Sequence, residues 1–450
     1  MQINFCKKIL LPAVSLLLSV TLLGSCRSQP TQSVGNTTVA TAVTTVGSVT
    51  PPQASRPTQQ ETIAADMVGT IFRLYSEKGG SGENAYINLR EYHDQPHSGY
   101  LWSNFSGVGM QYYVCKLYAN DPKQTDTFRK MINNFKYFRQ SDPSSNAAEN
   151  SVKYHSARGQ RINGGSGDCF FDDNIWVARN YLRAYEILGD KWYLEEAIRV
   201  NNWVLSGWND QLGGIVWSEV GLTDRADAQH LERGLSANAC GIMVNATLSQ
   251  LVEDPAEKAF YLEWAEKFYQ FCKRMQNTPA SYDYWNGIHT VIENGERRDG
   301  DVNRVHFAYN SGSMILANLA LYDCTDDPAK KDAYYKDALR TAAAAKKTFY
   351  IMDPTTKKMY YQGDPWFAAI LDEAFYELLR YDEKVAKRHL DSFTVNVEQA
   401  YANRDRRTHL CPYQAPWKVT WEHRESYVIH QIGFAQQAVI AALYSIDSTE

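Results

Sequence analysis

The chain has 450 residues, 44% of them hydrophobic and 22% charged, with a formal net charge of -5 and a pI near 6.1. That is enough apolar mass for one large domain or two to three ordinary ones. No basic stripe stands out, which argues against nucleic acid as a partner. The 29 Tyr and 11 Trp are compatible with a Tyr-rich core. Composition alone favours that reading over the sharper one of sugar binding, in which the C–H faces of pyranose rings stack on aromatic faces.

Lys7 and Lys8 precede the apolar run "ILLPAVSLLLSVTLL", and "LLGSC" ends at Cys26. A basic start followed by a short apolar stretch reads as a secretory signal. Gly24 and Ser25 directly before Cys26 resemble a bacterial lipobox, so residues 1–25 are expected to be a lipoprotein signal peptide with Cys26 lipidated. Multiple acyl chains would make the membrane anchor stable. The expected location is the cell envelope, in the outer membrane, facing the periplasm or the cell surface. Residues 26–59 are rich in Ser, Thr, Pro and Gln and read as a flexible tether. Residues 60–450 are expected to form the folded domain. Its six cysteines show no CxxC pair and no zinc spacing, so buried free thiols are expected.

Helical periodicity dominates from residue 60. Twelve stretches are predicted, over 60–77, 102–119, 123–140, 173–188, 191–206, 237–252, 255–276, 309–323, 329–348, 365–381, 384–402 and 424–446. Their charges alternate. "SANACGIMVNATLSQLV" (236–252), "FAYNSGSMILANLALY" (307–322) and "SYVIHQIGFAQQAVIAALYSI" (426–446) carry none, and 102–119 carries only Lys116. "PAEKAFYLEWAEKFYQFCKRM" (255–275) and "PAKKDAYYKDALRTAAAAKK" (328–347) carry charges along one face. The stretch 365–381 is a partial exception, with Asp372, Glu373, Glu377 and Arg380. A helix that is apolar all round is enclosed by protein, whereas an amphipathic one has a water face. Strict alternation, with short links such as "GDKW" and "VEDP", implies two layers of antiparallel hairpins. Six hairpins closed into a ring give an all-α (α/α)6 toroid. An open solenoid alternates in the same way, and the uncharged last helix favours closure.

In such a ring every inner helix begins at one end. The six entering segments are "GYLWSNFSG", "GDCFFDDNIW", "RGLSANACG", "HFAYNSGS", "YQGDPWFAA" and "WKVTWEHRES", all rich in Asn, Asp, Glu, Trp or Tyr. Polar and aromatic groups converging on one end of an apolar barrel make a candidate cleft. In "FFDDNIW" the acids Asp172 and Asp173 are adjacent. Asp172 or Asn174 could cap the helix, but a cap needs one acid, and the second would then face Phe170, Phe171 and Trp176 at a desolvation cost. Glycoside hydrolysis needs two carboxyl groups, about 5–5.5 Å apart for retention and roughly 6.5–9.5 Å apart for inversion. Adjacent acids can hold the shorter distance, with one pKa raised by the other. Asp168 reads as a turn or capping residue. "ENGERRDGD" (293–301) lacks the EF-hand order and reads as a solvated loop.

The stretch "FFDDNIWVARNYLRAYEILGDKWYLEEA" (170–197) resembles the signature of glycoside hydrolase family 76, the α-1,6-mannanases. "GWNDQLGGIVWSE", "LSANACGIMVNATLSQLVEDPAEKAFYLEWAEKFYQF", "AYNSGSMILANLALYDCTDDPAKKDAYYKDA" and "GDPWFAAILDEAFYELLRYD" follow in the family's order. The resemblance implies an (α/α)6 retaining glycoside hydrolase cleaving α-1,6-linked mannose in mannan, with endo action expected. It implies Asp172 as nucleophile and Asp173 as general acid/base, with no cofactor and no metal. Asn174, Trp217, Asn238, Tyr309, Asn310 and Trp366 are the candidate sugar contacts. Departures from the family pattern stand at Ile175, at Val216-Trp217-Ser218 and at Asp372. Two other readings remain open at this point: a toroid glycosidase acting on another glycan, and a non-catalytic helical glycan-binding lipoprotein.

Overall fold

Five outer helices begin at the same chemical signal. Asp121, Asp190, Asp254, Asp327 and Asp382 each accept a backbone N–H from the first turn of the helix they precede. Three of them are followed by a proline at the first helical position, where its missing N–H costs nothing. These caps start α3 (Pro122–Asn133), α5 (Lys191–Leu205), α7 (Pro255–Lys273), α9 (Pro328–Phe349) and α11 (Glu383–Ala402). The partners inside are α2 (Leu101–Leu117), α4 (Phe171–Leu188), α6 (Leu235–Leu251), α8 (Ala308–Cys324), α10 (Pro365–Leu378) and α12 (Val428–Asp447). α1 (Gln59–Tyr75) packs outside α12. The structure, a computed structural model, describes residues 57–95, 98–140, 150–158, 169–223, 229–278, 281–354, 357, 359–361, 363–413 and 426–447. Cys26, the signal and tether, and Asp168 lie outside the described residues.

The inner helices pack in the order α2, α4, α6, α8, α10, α12, and α12 packs back on α2. The ring is therefore closed, and the fold is the expected (α/α)6 toroid. Burial follows the charge pattern: every residue from Val428 to Leu443 of α12 is buried, as is every residue from Asn310 to Leu319 of α8. Two glycines let neighbouring ring helices approach closely. A Cβ on Gly312 would lie 2.7 Å from the Ile370 carbonyl oxygen, and one on Gly433 would lie 2.4 Å from the Pro365 backbone.

The charges that interrupt the pattern on α4 and α10 face one another. These helices stand opposite in the ring, and Glu373 of α10 accepts from Arg179 and Arg183 of α4, the latter at 2.6 Å. Gln436 of α12 donates to the other Glu373 oxygen at 3.3 Å. Burial alone would raise the Glu373 pKa, but the two guanidinium groups outweigh it and hold the carboxyl below its ordinary value.

A second device repeats at the inner-helix mouths. The fourth residue of α2, α4 and α6 is an asparagine whose side-chain oxygen accepts a backbone N–H from a neighbouring segment. Asn104 takes Leu89 at 2.9 Å, Asn174 takes Tyr154 at 2.8 Å and Asn238 takes Ile215 at 3.0 Å. Each amide then donates to the carbonyl at the helix entrance: Tyr100, Phe170 and Gly234. Gln431 does similar work in α12, bonding both backbone groups of Cys411. These side chains satisfy buried backbone N–H groups of the neighbouring segments, while the Tyr100 and Phe170 carbonyls also accept a helical N–H.

Three small antiparallel sheets decorate the ring: β1 (Ser76–Gly79) with β2 (Tyr86–Leu89), β3 (Arg233–Gly234) with β4 (Gly287–Glu293) and β5 (Glu296–Asn303), and β6 (Tyr350–Met352) with β7 (Met359–Tyr361). The stretch 293–301, expected as a solvated loop, is instead the tip and second strand of the β4–β5 hairpin. Asn294 and Gly295 both take positive φ, 55° and 82°, the two-residue turn that matches strand twist. The helix expected over 123–140 ends at Asn133 and tightens into a 3₁₀ turn over Asn134–Tyr137. Asn134 is buried there, donating to Asn88 and Asn104. The six cysteines are free thiols, and all but the partly exposed Cys324 are buried.

Replacing Asn238 by Ala should strand the Ile215 N–H and the Gly234 carbonyl. Denaturant unfolding should show a loss of about 2 kcal/mol. A change indistinguishable from zero would mean that the amide bridge contributes nothing to closing the mouth.

Candidate active site

Phe170, not an acid, occupies the N-cap of α4, and no side chain caps that helix. Asp172 and Asp173 lie inside its first turn, where the helix dipole favours negative charge. The expectation that Asp172 or Asn174 caps the helix is thus corrected. The segment carrying Trp217 is pinned to this turn by backbone bonds: Phe171 N–H donates to the Trp217 carbonyl at 2.9 Å, and Glu219 N–H donates to the Cys169 carbonyl at 3.2 Å. Before it, Gly213 and Gly214 turn the chain at positive φ, 73° and 82°; a Cβ on Gly214 would run into the Phe271 ring at 2.4 Å.

This geometry treats the two acids differently. The Trp217 indole N–H donates to Asp172 Oδ2 at 3.2 Å, and the Asp173 backbone N–H donates to Asp172 Oδ1 at 2.8 Å. Among the described residues no donor reaches the Asp173 carboxyl. Burial raises the Asp172 pKa to about 6, with the donors pulling it back down. Asp173 is held well above the ordinary carboxylate range, first by burial and then by the charge of Asp172. Near neutral pH the arrangement is an ionised Asp172 beside a protonated Asp173. An ionised carboxylate can attack carbon, and a neutral carboxylic acid can donate a proton.

Asp172 and Trp217 line a cleft of about 200 Å³ with Glu232, Ser236, Asn286 and Tyr309. Tyr309 donates its hydroxyl to Asn286 Oδ1 at 3.0 Å, and Asn286 donates to Glu232 at 3.2 Å. Asn303 also donates to Glu232, at 3.0 Å. Behind Tyr309 the packing is aromatic. Trp366 lies within 6.4 Å, ring to ring, of Trp102, Phe105, Trp176 and Tyr309. Phe170 covers Trp217 at 4.6 Å.

The chain matches the family model described as Glycosyl hydrolase family 76 over residues 88–444. It belongs to that family. Solved structures share the fold. A family 76 mannosidase from Bacteroides thetaiotaomicron superposes with a TM-score of 0.71 at 16% identity, covering 87% of this chain and 100% of that one. A family 76 glycoside hydrolase from a bovine strain of the same species gives 0.70 at 18%, covering 86% and 78%. An α-1,6-mannanase from a Salegentibacter species, inactivated by alanine at two consecutive aspartates and bound to α-1,6-mannotetrose, gives 0.64 at 18%, covering 86% and 99%. No curated protein matches the chain.

In this family 76 glycoside hydrolase, the structure gathers Asp172, Trp217 and Tyr309 around one cleft, with Asp173 beside them and Trp366 packed behind Tyr309 at 6.2 Å. Asn174 and Asn238 are fully buried and committed to backbone groups, so they position the mouths rather than meet a ligand. Asn310 is likewise fully buried and donates to Asn286 at 3.3 Å. Glu232 and Asn286 escaped the sequence reading. Pairing of β3 with β4 brings Asn286 beside Glu232, and the Asn294–Gly295 turn was the signal that could have found them. The departures resolve in part: Ile175 is core, and Asp372 is buried with neither oxygen hydrogen-bonded among the described residues. Among the described residues no group of three His, Cys, Asp or Glu side chains is placed to hold a metal ion.

The raised acid pair should leave a signature in stability. A carboxyl whose folded pKa exceeds its unfolded value of 3.8 binds its proton more tightly in the folded state. Its stabilising contribution is complete below the unfolded value and is lost as pH rises through the folded value, about 6 for Asp172. The Asp172→Asn/Asp173→Asn variant lacks this loss. Its melting temperature, relative to the unsubstituted protein, should rise from about pH 4 to about pH 7.5. Calorimetric scans showing a constant offset would contradict the assignment.

Proposed function

We propose that this glycoside hydrolase is an endo-acting, retaining α-1,6-mannan hydrolase in which Asp172 is the nucleophile and Asp173 the general acid/base. The observation that carries the reading is the asymmetry of the pair: two donors on Asp172, none among the described residues on Asp173. In the first step Asp172 attacks the anomeric carbon while Asp173 protonates the glycosidic oxygen, which leaves as a free sugar hydroxyl. In the second, Asp173 takes a proton from water, and the water oxygen displaces Asp172 from the glycosyl ester. The bound mannotetrose of the Salegentibacter enzyme and its pair of consecutive aspartates support both the linkage and the pair. The cleft's described lining contains no Lys or Arg, which supports a neutral sugar over an acidic one. We further propose that Cys26 carries a lipid anchor that holds the enzyme in the outer membrane, facing the periplasm or the surface.

Linear α-1,6-mannan is the substrate to test. Asp173→Asn should lower kcat by about 10²–10⁴-fold, and Asp172→Asn should abolish turnover. Azide should restore turnover to Asp173→Ala with a retained glycosyl azide and to Asp172→Ala with an inverted one. Full activity in both Asn variants would overturn the assignment.

A further inference from the structure

Below this aromatic packing the barrel axis opens again. A cavity of about 420 Å³ lies at the opposite end of the ring, bounded by the C-terminal halves of α2, α4, α6, α8 and the end of α10. Eleven residues of α4 separate Asp172 from Arg183, about 16 Å along the helix. The rings of Phe105, Trp176 and Trp366 lie between the two ends, so the cavity is not an extension of the catalytic cleft.

Its charged lining runs from the buried Glu373 out to the exposed Arg380 and Glu186. Four cations and four carboxylates line it, and each carboxylate has a cation within reach. Glu186 meets Lys116 at 3.6 Å, Asp323 meets Arg380 at 3.2 Å, Glu377 meets Arg380 at 3.7 Å, and Glu373 meets Arg179 and Arg183. Three tyrosine hydroxyls donate into the same carboxylates: Tyr112 to Glu186 at 2.7 Å, Tyr113 to Glu377 at 3.4 Å and Tyr381 to Asp323 at 2.6 Å. One donor is left over: Arg179 Nη1 is buried and has no hydrogen-bond partner among the described residues.

This balance selects the ligand class. Over the whole lining the four cations and four carboxylates cancel, so a phosphate or carboxylate would add an uncompensated charge. A polyamine or metal ion would need an unpaired carboxylate. A hydroxyl can accept from Arg179 and donate to a paired carboxylate at the same time. Tyr185 supplies a ring face for an apolar C–H surface, whereas the Tyr112 ring is covered by Lys116 and Arg183. The volume sits at the low end of the roughly 300–1,000 Å³ typical of ligand pockets, which suits one or two pyranose rings and not a polymer. We propose that this cavity is a second saccharide site, separate from the catalytic cleft, that takes a neutral mono- or disaccharide. The ligand class comes from the cavity's own groups and does not depend on the linkage cleaved at the other end.

Calorimetric titration of the Asp172→Asn/Asp173→Asn chain tests it, with mannose, α-1,6-mannobiose and maltose as neutral probes and inorganic phosphate and spermidine as charged ones. At least one neutral probe should bind with a component that Ala320→Trp, which fills the cavity from α8, weakens by about tenfold or more. Tyr185→Ala should weaken the same component and decides the matter if the Trp variant does not fold. Ala320→Trp in the otherwise unsubstituted chain should leave mannan hydrolysis unchanged. The proposal is overturned if no neutral probe binds, if both substitutions leave every isotherm unaltered, or if they remove phosphate or spermidine binding instead. Absence of mannan hydrolysis by the unsubstituted protein would count against the catalytic reading and leave the cavity result standing.

Discussion

Helices with no charged face cannot border water, and this chain contains three of them, with a fourth carrying a single lysine near its end. Each must be enclosed on every side. A closed ring of inner helices inside a ring of amphipathic ones meets that demand without leaving an end uncovered, and the packing of α12 on α2 shows it met. The two inner helices that break the rule stand across the axis from one another, so that Arg179 and Arg183 neutralise Glu373 in the centre of the barrel. Truncating one member of such a set would leave a buried charge uncompensated, a loss typically of about 3–5 kcal/mol.

Closure also decides where chemistry can sit. All inner helices start at one end, so their entering segments meet there, and so do their unsatisfied N–H groups. Asparagine at the fourth position of three inner helices ties those starts to neighbouring segments by accepting the Leu89, Tyr154 and Ile215 N–H groups. What remains at the mouth of α4 is a first turn whose two acids need not serve as caps. Partial burial against Trp217 and Phe170 then raises both pKa values, and unequal hydrogen bonding separates them. The same rigid ring that stabilises the fold thus holds an acid and a carboxylate in fixed relation.

Much of this was legible in the sequence. Charge alternation gave two layers, the Asp-Pro and Gly-Asp turns gave the hairpin links, and "FFDDNIW" marked the acid pair. Sequence spacing cannot show whether the amides of Asn174 and Asn238, read as sugar contacts, point into a cleft or back at their own backbone; both do the latter. The order of roles within the pair was also illegible. It depends on Trp217, 45 residues downstream of Asp172, reaching back through a turn at Gly213–Gly214. Glu232 and Asn286 were missed for a related reason: they meet through strand pairing in a hairpin whose charged second strand looks like a solvated loop.

The central claim is that two adjacent acids at one helix mouth act as nucleophile and acid/base. The stereochemistry of the first-formed product tests it most directly. Proton NMR of linear α-1,6-mannan in the first minutes of hydrolysis should show the new reducing end appearing as the α-anomer before mutarotation. A β-anomer formed first would mean that water attacks directly, and would contradict the assignment of Asp172 as nucleophile.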